Sequence, residues 1–168
     1  MKIAALMLAA ALASAADLPT SVALTPVASR KPAPVVALSN NSAKLVGMEK
    51  YKGKVVLLDF WATWCTGCKQ EIPWFIEFHK RYRAKGLKVV GVSMDDGGWK
   101  VLKPFLRKRP IAYQILLGDD PAAKRFSIGA LPETFLIDRR GRLAAAYTSG
   151  LVDKDNVEAN VKSLLAER

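Results

Sequence analysis

Residues 55–61, Val-Val-Leu-Leu-Asp-Phe-Trp, form a nearly unbroken apolar run of strand length, followed four residues later by Cys65-Thr66-Gly67-Cys68. Such a run suits a strand covered on both faces, which requires helices above and below a sheet. Helical spacing begins at the second cysteine, with Ile72, Phe75, Ile76 and Phe78 among the apolar positions of a predicted helix over 68–84. The cysteine pair is therefore expected at the junction between a buried strand and a helix N-terminus.

Further strands are expected at 87–94, 114–117, 134–138 and 143–148, with helices at 99–108, 121–126 and 154–167, the last capped by Asp153. Residues 139–142, Arg-Arg-Gly-Arg, read as the turn of an antiparallel hairpin. A second hairpin is expected around Ser39-Asn40-Asn41-Ser42, between strands at 35–38 and 44–46. This order predicts an α/β domain over 35–168, with a central mixed sheet flanked by helices and an N-terminal β-hairpin extension.

Ahead of it, Lys2, the apolar run 3–12 and Ala13-Ser14-Ala15 have the layout of a signal peptide over 1–16. The apolar stretch is short for a bilayer span, and no cysteine follows it to carry a lipid. The expectation is a periplasmic or secreted protein after cleavage, in preference to a membrane-anchored one. Residues 17–34, with Pro19, Pro26, Pro32 and Pro34, read as a flexible linker. The net charge of +11 is spread over separate clusters of Lys and Arg with few interleaved aromatics, which favours a solvated basic surface over nucleic-acid binding.

The chain has two cysteines and one histidine, His79. A metal site would lack ligands, and a staple over two intervening residues would constrain the unfolded chain little. Redox chemistry remains. At a helix N-terminus the dipole and free N–H groups stabilise a Cys65 thiolate, the attacking species. Cys68, one turn deeper, attacks the resulting mixed disulfide and closes the internal bond. Thr66 and Gly67 influence how well that thiolate is held. Asp59 interrupts an otherwise apolar strand, so burial should raise its pKa. A structural carboxylate paired with Lys88 or Lys100 is the alternative.

Residues 57–69, Leu-Leu-Asp-Phe-Trp-Ala-Thr-Trp-Cys-Thr-Gly-Cys-Lys, resemble the active-site segment of the thioredoxin superfamily. Residues 129–138, Gly-Ala-Leu-Pro-Glu-Thr-Phe-Leu-Ile-Asp, resemble its second signature. Trp64, Glu71 and Gly91-Val92-Ser93-Met94 are similar to the extracytoplasmic TlpA/ResA-like branch, which includes the thioredoxins of cytochrome c maturation. The resemblance implies a thioredoxin fold and a thiol–disulfide oxidoreductase acting as a reductant. It also implies Asp59 beneath Cys68 as proton acceptor and Glu71 as a second acid tuning the thiols. A cis peptide at Leu131-Pro132 would present the backbone of Leu131 to an extended substrate, with Trp64 in an apolar docking surface. Protein disulfides are the expected partners, with a membrane electron donor for re-reduction, no cofactor and a monomeric state. Two other readings are a peroxiredoxin-type thiol peroxidase, which places a Thr three residues before its cysteine where this chain has Ala62, and a binding module with vestigial cysteines.

Overall fold

The computed structural model describes residues 21–148 and 152–167. The signal-peptide expectation lies outside them. The strands are β1 (Ala37–Ser39), β2 (Leu45–Gly47), β3 (Val55–Trp61), β4 (Leu87–Ser93), β5 (Gln114–Leu117), β6 (Glu133–Ile137) and β7 (Leu143–Tyr147). The helices are α1 (Thr66–Tyr82), α2 (Gly98–Lys108), α3 (Asp120–Phe126) and α4 (Lys154–Ala166). The strands form one mixed sheet in the order β2-β1-β5-β4-β3-β6-β7.

Strand β3 lies near the middle, parallel to β4 and antiparallel to β6, and every residue in it is buried. Its period-2 alternation sends Val55, Leu57 and Trp61 into a core with Phe75 and Phe78 of α1, Leu102 of α2, and Val157 and Val161 of α4. Val56, Leu58 and Phe60 point to the other face, where Phe60, Phe126 of α3 and Phe135 of β6 cluster with ring centroids 5.2 to 6.0 Å apart. Helices α1 and α2 share a face, as right-handed crossovers through the consecutive parallel strands β3, β4 and β5 require. The expected hairpin is present as β1–β2, joined to the sheet through Ser39 and Leu117.

The linker expectation fails for residues 21–34. Thr25 N donates to Ala144 O (2.7 Å), Leu143 N to Lys31 O (2.8 Å) and Ala33 N to Gly141 O (2.9 Å), so the segment runs along β7. Covering an otherwise open sheet edge in this way suits a proline-rich strand neighbour. Arg30 is buried, with Nη1 and Nη2 2.6 and 2.7 Å from the Glu167 carboxylate and Nη1 3.3 Å from Asp138. Asn156 and Asn160 of α4 bond the backbone of Val22. Prolines and small residues suggested freedom, whereas the partners that remove it lie more than a hundred positions away in sequence.

Candidate active site

The chain leaves β3 at Trp61 and reaches α1 within five residues. Two sets of bonds fix this passage. Met94 N donates to Trp61 O at 2.8 Å. Asp95, buried just after β4, accepts from Thr63 N (3.0 Å), Thr63 Oγ1 (2.6 Å) and Ser93 Oγ (2.8 Å). Asp95 escaped the sequence reading because a single acid after a strand gives no signal of a partner thirty positions earlier.

Helix α1 starts at Thr66, two residues earlier than its apolar spacing indicated, and Cys65 is its N-cap. The Cys65 Sγ accepts from Cys68 N at 3.1 Å, in the role that Ser or Asp oxygens fill at other N-caps. Cys65 and Cys68 are joined by a disulfide, with Cα atoms 5.4 Å apart. Cys68 is fully buried and Cys65 retains a small exposed area.

Antiparallel pairing of β6 with β3 sets Glu133 opposite Phe60. Pro132, one residue earlier, is thereby brought to the end of β3 that leads into the cysteines. The Leu131–Pro132 peptide bond is cis. A Cβ built on Gly67 would lie 3.3 Å from Pro132 Cδ, so the proline ring lies beside the second of the two residues between the cysteines. Thr66 and Trp64 are exposed, Trp64 at 67%, the largest exposure of any aromatic side chain among the core and surface hydrophobics of the described residues. Trp61 is fully buried, with its ring 5.5 Å from that of Phe105.

Asp59 is fully buried on the α1 side of the sheet. Its Oδ1 accepts from Thr134 Oγ1 at 3.4 Å, and its Oδ2 has no partner among the described residues. Neither Lys88 nor Lys100 pairs with it among the described residues; Lys88 Nζ instead lies 5.6 Å from the centre of the Tyr51 ring. Burial pushes the Asp59 carboxyl up to about 7, against the opposing pull of the Thr134 hydrogen bond. Glu71, also buried, is pushed up to about 8 by burial and by the neighbouring Asp59 charge. Burial thus holds both acids above the ordinary carboxylate range, and the Asp59 charge adds to the effect at Glu71.

Gly91 faces Asp59 across β3–β4. A Cβ there would meet Ile115 Cδ1 at 2.9 Å, Trp61 Nε1 at 3.0 Å and Tyr113 Cε2 at 3.1 Å. Its missing side chain leaves room for the Ile115, Trp61 and Tyr113 side chains beside the strand position paired with Asp59. Tyr113 and Thr134 were not marked in the sequence, where each reads as an ordinary residue at a strand end. No group of acids, His and Cys suited to hold a metal occurs among the described residues.

Comparison with known proteins bears on this arrangement. The AhpC/TSA family model matches residues 30–146. The thiol-disulfide oxidoreductase ResA of Geobacillus thermodenitrificans is 30% identical over 141 residues, covering 83% of this chain and 80% of that protein. The crystal structure of a putative thiol:disulfide interchange protein DsbE from Chlorobium tepidum superposes with a TM-score of 0.76 at 29% identity, over 82% of this chain and 97% of that one. A secreted thiol-disulfide isomerase from Corynebacterium glutamicum shares the fold, with a TM-score of 0.76 at 21% identity over 88% of this chain and 93% of that one. The chain belongs to the AhpC/TSA family with a thioredoxin fold, and it is a thiol–disulfide oxidoreductase.

Proposed function

We propose that the protein reduces disulfides in partner proteins outside the cytoplasm, with maturation of c-type cytochromes as one setting. The observation that carries this reading is the placing of Cys65 at the N-cap of α1, bonded to a buried Cys68, with the Pro132 ring beside Gly67 in the loop between them. In the reduced protein the Cys68 N–H and the helix dipole favour a thiolate on Cys65. That thiolate attacks a partner disulfide, forming a Cys65–partner bond and expelling one partner thiolate. Cys68 then loses its proton to Asp59 and attacks Cys65 Sγ, and the second partner sulfur departs with the electron pair. Glu71, coupled to Asp59, sets when that acceptor is ionised.

An extended substrate segment fits along Leu131 and Pro132 by backbone pairing, with exposed Trp64 as an apolar contact and Thr66 and Gly67 at its floor. The leader-like residues 1–16 support an extracytoplasmic site. The pair must be re-reduced after each turnover, and a membrane electron donor fits an oxidising compartment. The protein acts as a monomer in this scheme. Peroxidase chemistry is disfavoured because Ala62 occupies the position of the needed hydroxyl and Thr63 Oγ1 is committed to Asp95.

Replacing Cys68 with Ala removes the resolving thiol. The expected result is a persistent mixed disulfide between Cys65 and a disulfide-containing protein such as insulin, seen by mass spectrometry and released by reductant. Absence of that adduct, with Cys65 reduced and the variant folded, would refute the exchange scheme.

A further inference from the structure

Buried polar side-chain atoms nearly always have partners, and leaving one without is costly. Among the described residues, six such atoms without a protein partner lie on the α1–α2 side of the sheet: Asp59 Oδ2, Trp61 Nε1, Glu71 Oε2, His79 Nδ1, Trp99 Nε1 and Tyr113 Oη. They form a sequence in space. Asp59 and Glu71 are electrostatically coupled to each other and to Tyr113. Trp61 Nε1 and Tyr113 Cε2 both border the space over Gly91. The Tyr113 ring is 6.5 Å from that of His79. His79, Trp99 and Tyr113 then line a surface cavity of about 480 Å³ that also includes Lys88 and Asn40.

The cavity lining includes Lys88 and Gln114, near the N-terminal ends of β4 and β5. The cysteines lie beyond the C-terminal end of the parallel strand β3. A partner docked over Trp64 and Pro132 would cover the direct exit from Cys68, while the cavity would stay open.

We propose that Tyr113 and His79 form a hydrated proton path between the Asp59–Glu71 carboxyl pair and this cavity, discharging the proton that Cys68 releases beneath a docked partner. Buried polar atoms without protein partners are the sites at which internal water binds. The path carries protons alone. The electron pair still passes to the departing partner sulfur, and the proton reaches solvent through Asp59, water, Tyr113 Oη and His79. The charged and titratable groups around it are Asp59 on β3, Glu71 and His79 on α1, Arg83 just after α1, Lys88 on β4 and Tyr113 before β5; the α2 residues at the cavity, Trp99 and Leu106, carry no charge. Burial, Lys88 and Arg83 hold His79 below its ordinary pKa, so it stays neutral near pH 7 and can accept one proton while donating another.

Tyr113 and His79 are relay positions that touch no reacting sulfur. The inference rests on the proposed role of Asp59 and is tested by single-turnover closure of Cys65–Cys68. The reduced full-length protein is mixed with a disulfide-containing peptide at pH 7 in dilute buffer. Tyr113→Phe, which keeps the ring, and His79→Ala are each expected to slow closure about tenfold without moving the equilibrium potential. Millimolar imidazole is expected to restore the rate of His79→Ala, a rescue that a merely structural role would not give. Closure at the wild-type rate in either variant, or a loss that imidazole leaves untouched, overturns the path. Normal closure in Asp59→Asn would instead overturn the role of Asp59 on which it rests.

Discussion

Asp59→Asn is expected to slow closure of the Cys65–Cys68 bond by about a hundredfold at pH 7 while leaving the first attack by Cys65 within about twofold. In the proposed scheme the first step uses a thiolate stabilised at the head of α1, so it needs no base. The second must take a proton from a fully buried thiol. A carboxyl pushed up to about 7 is matched to that task, since near neutrality it is ionised often enough to accept and basic enough to hold. Asn keeps the shape and can still accept from Thr134 through its Oδ1, but it takes no proton. Glu71→Gln should have the smaller effect, because in the proposed scheme Glu71 acts only by biasing Asp59. Stopped-flow tryptophan fluorescence separates the two steps, and equal slowing of both would contradict the assignment.

The same carboxyls make the oxidised protein less stable as pH rises. A folded-state value near 7 for Asp59 against 3.8 unfolded means that the folded chain binds the proton more tightly between those values. Stability is therefore greatest below the unfolded value and falls until pH passes 7. From pH 5 to pH 8.5 this amounts to a loss of about 3 kcal/mol. Glu71 contributes in the same direction, its upper limit lying near 8. Asp138, Glu77 and Glu158, held below the ordinary carboxylate range, are already ionised in this window. Denaturant unfolding of oxidised wild type and Asp59→Asn at both pH values isolates the effect. The gap between them should widen in favour of the variant by about 3 kcal/mol; a constant gap would contradict the buried, proton-binding state of Asp59.

Where the sequence was informative, the signals were local. The apolar run of β3 reflects a strand covered on both faces, and Gln114–Leu117 and the Asp153 cap of α4 follow from strand length and capping chemistry. The cysteine pair and Pro132 could be read because two separated motifs resemble one superfamily. Asp59 stood out because a carboxylate is costly within such a strand. Features made by distant pairings stayed hidden. Nothing near Arg30 announces Asp138 and Glu167, so the segment holding it read as a loose tether. Tyr113 gains its place only once β5 lies beside β4 and Gly91 leaves room for its ring. The start of α1 was placed late because Cys65 caps through sulfur, outside the usual oxygen-bearing N-cap residues.

Exchange at the head of α1 depends above all on the acidity of one thiol. Alkylation of the reduced protein by iodoacetamide, followed against pH with the modified cysteine identified by mass, measures it. Cys65 should react first, with a midpoint below about 7.5, well under the ordinary cysteine value near 8.5. A midpoint at or above that ordinary value, or preferential modification of Cys68, would contradict the account.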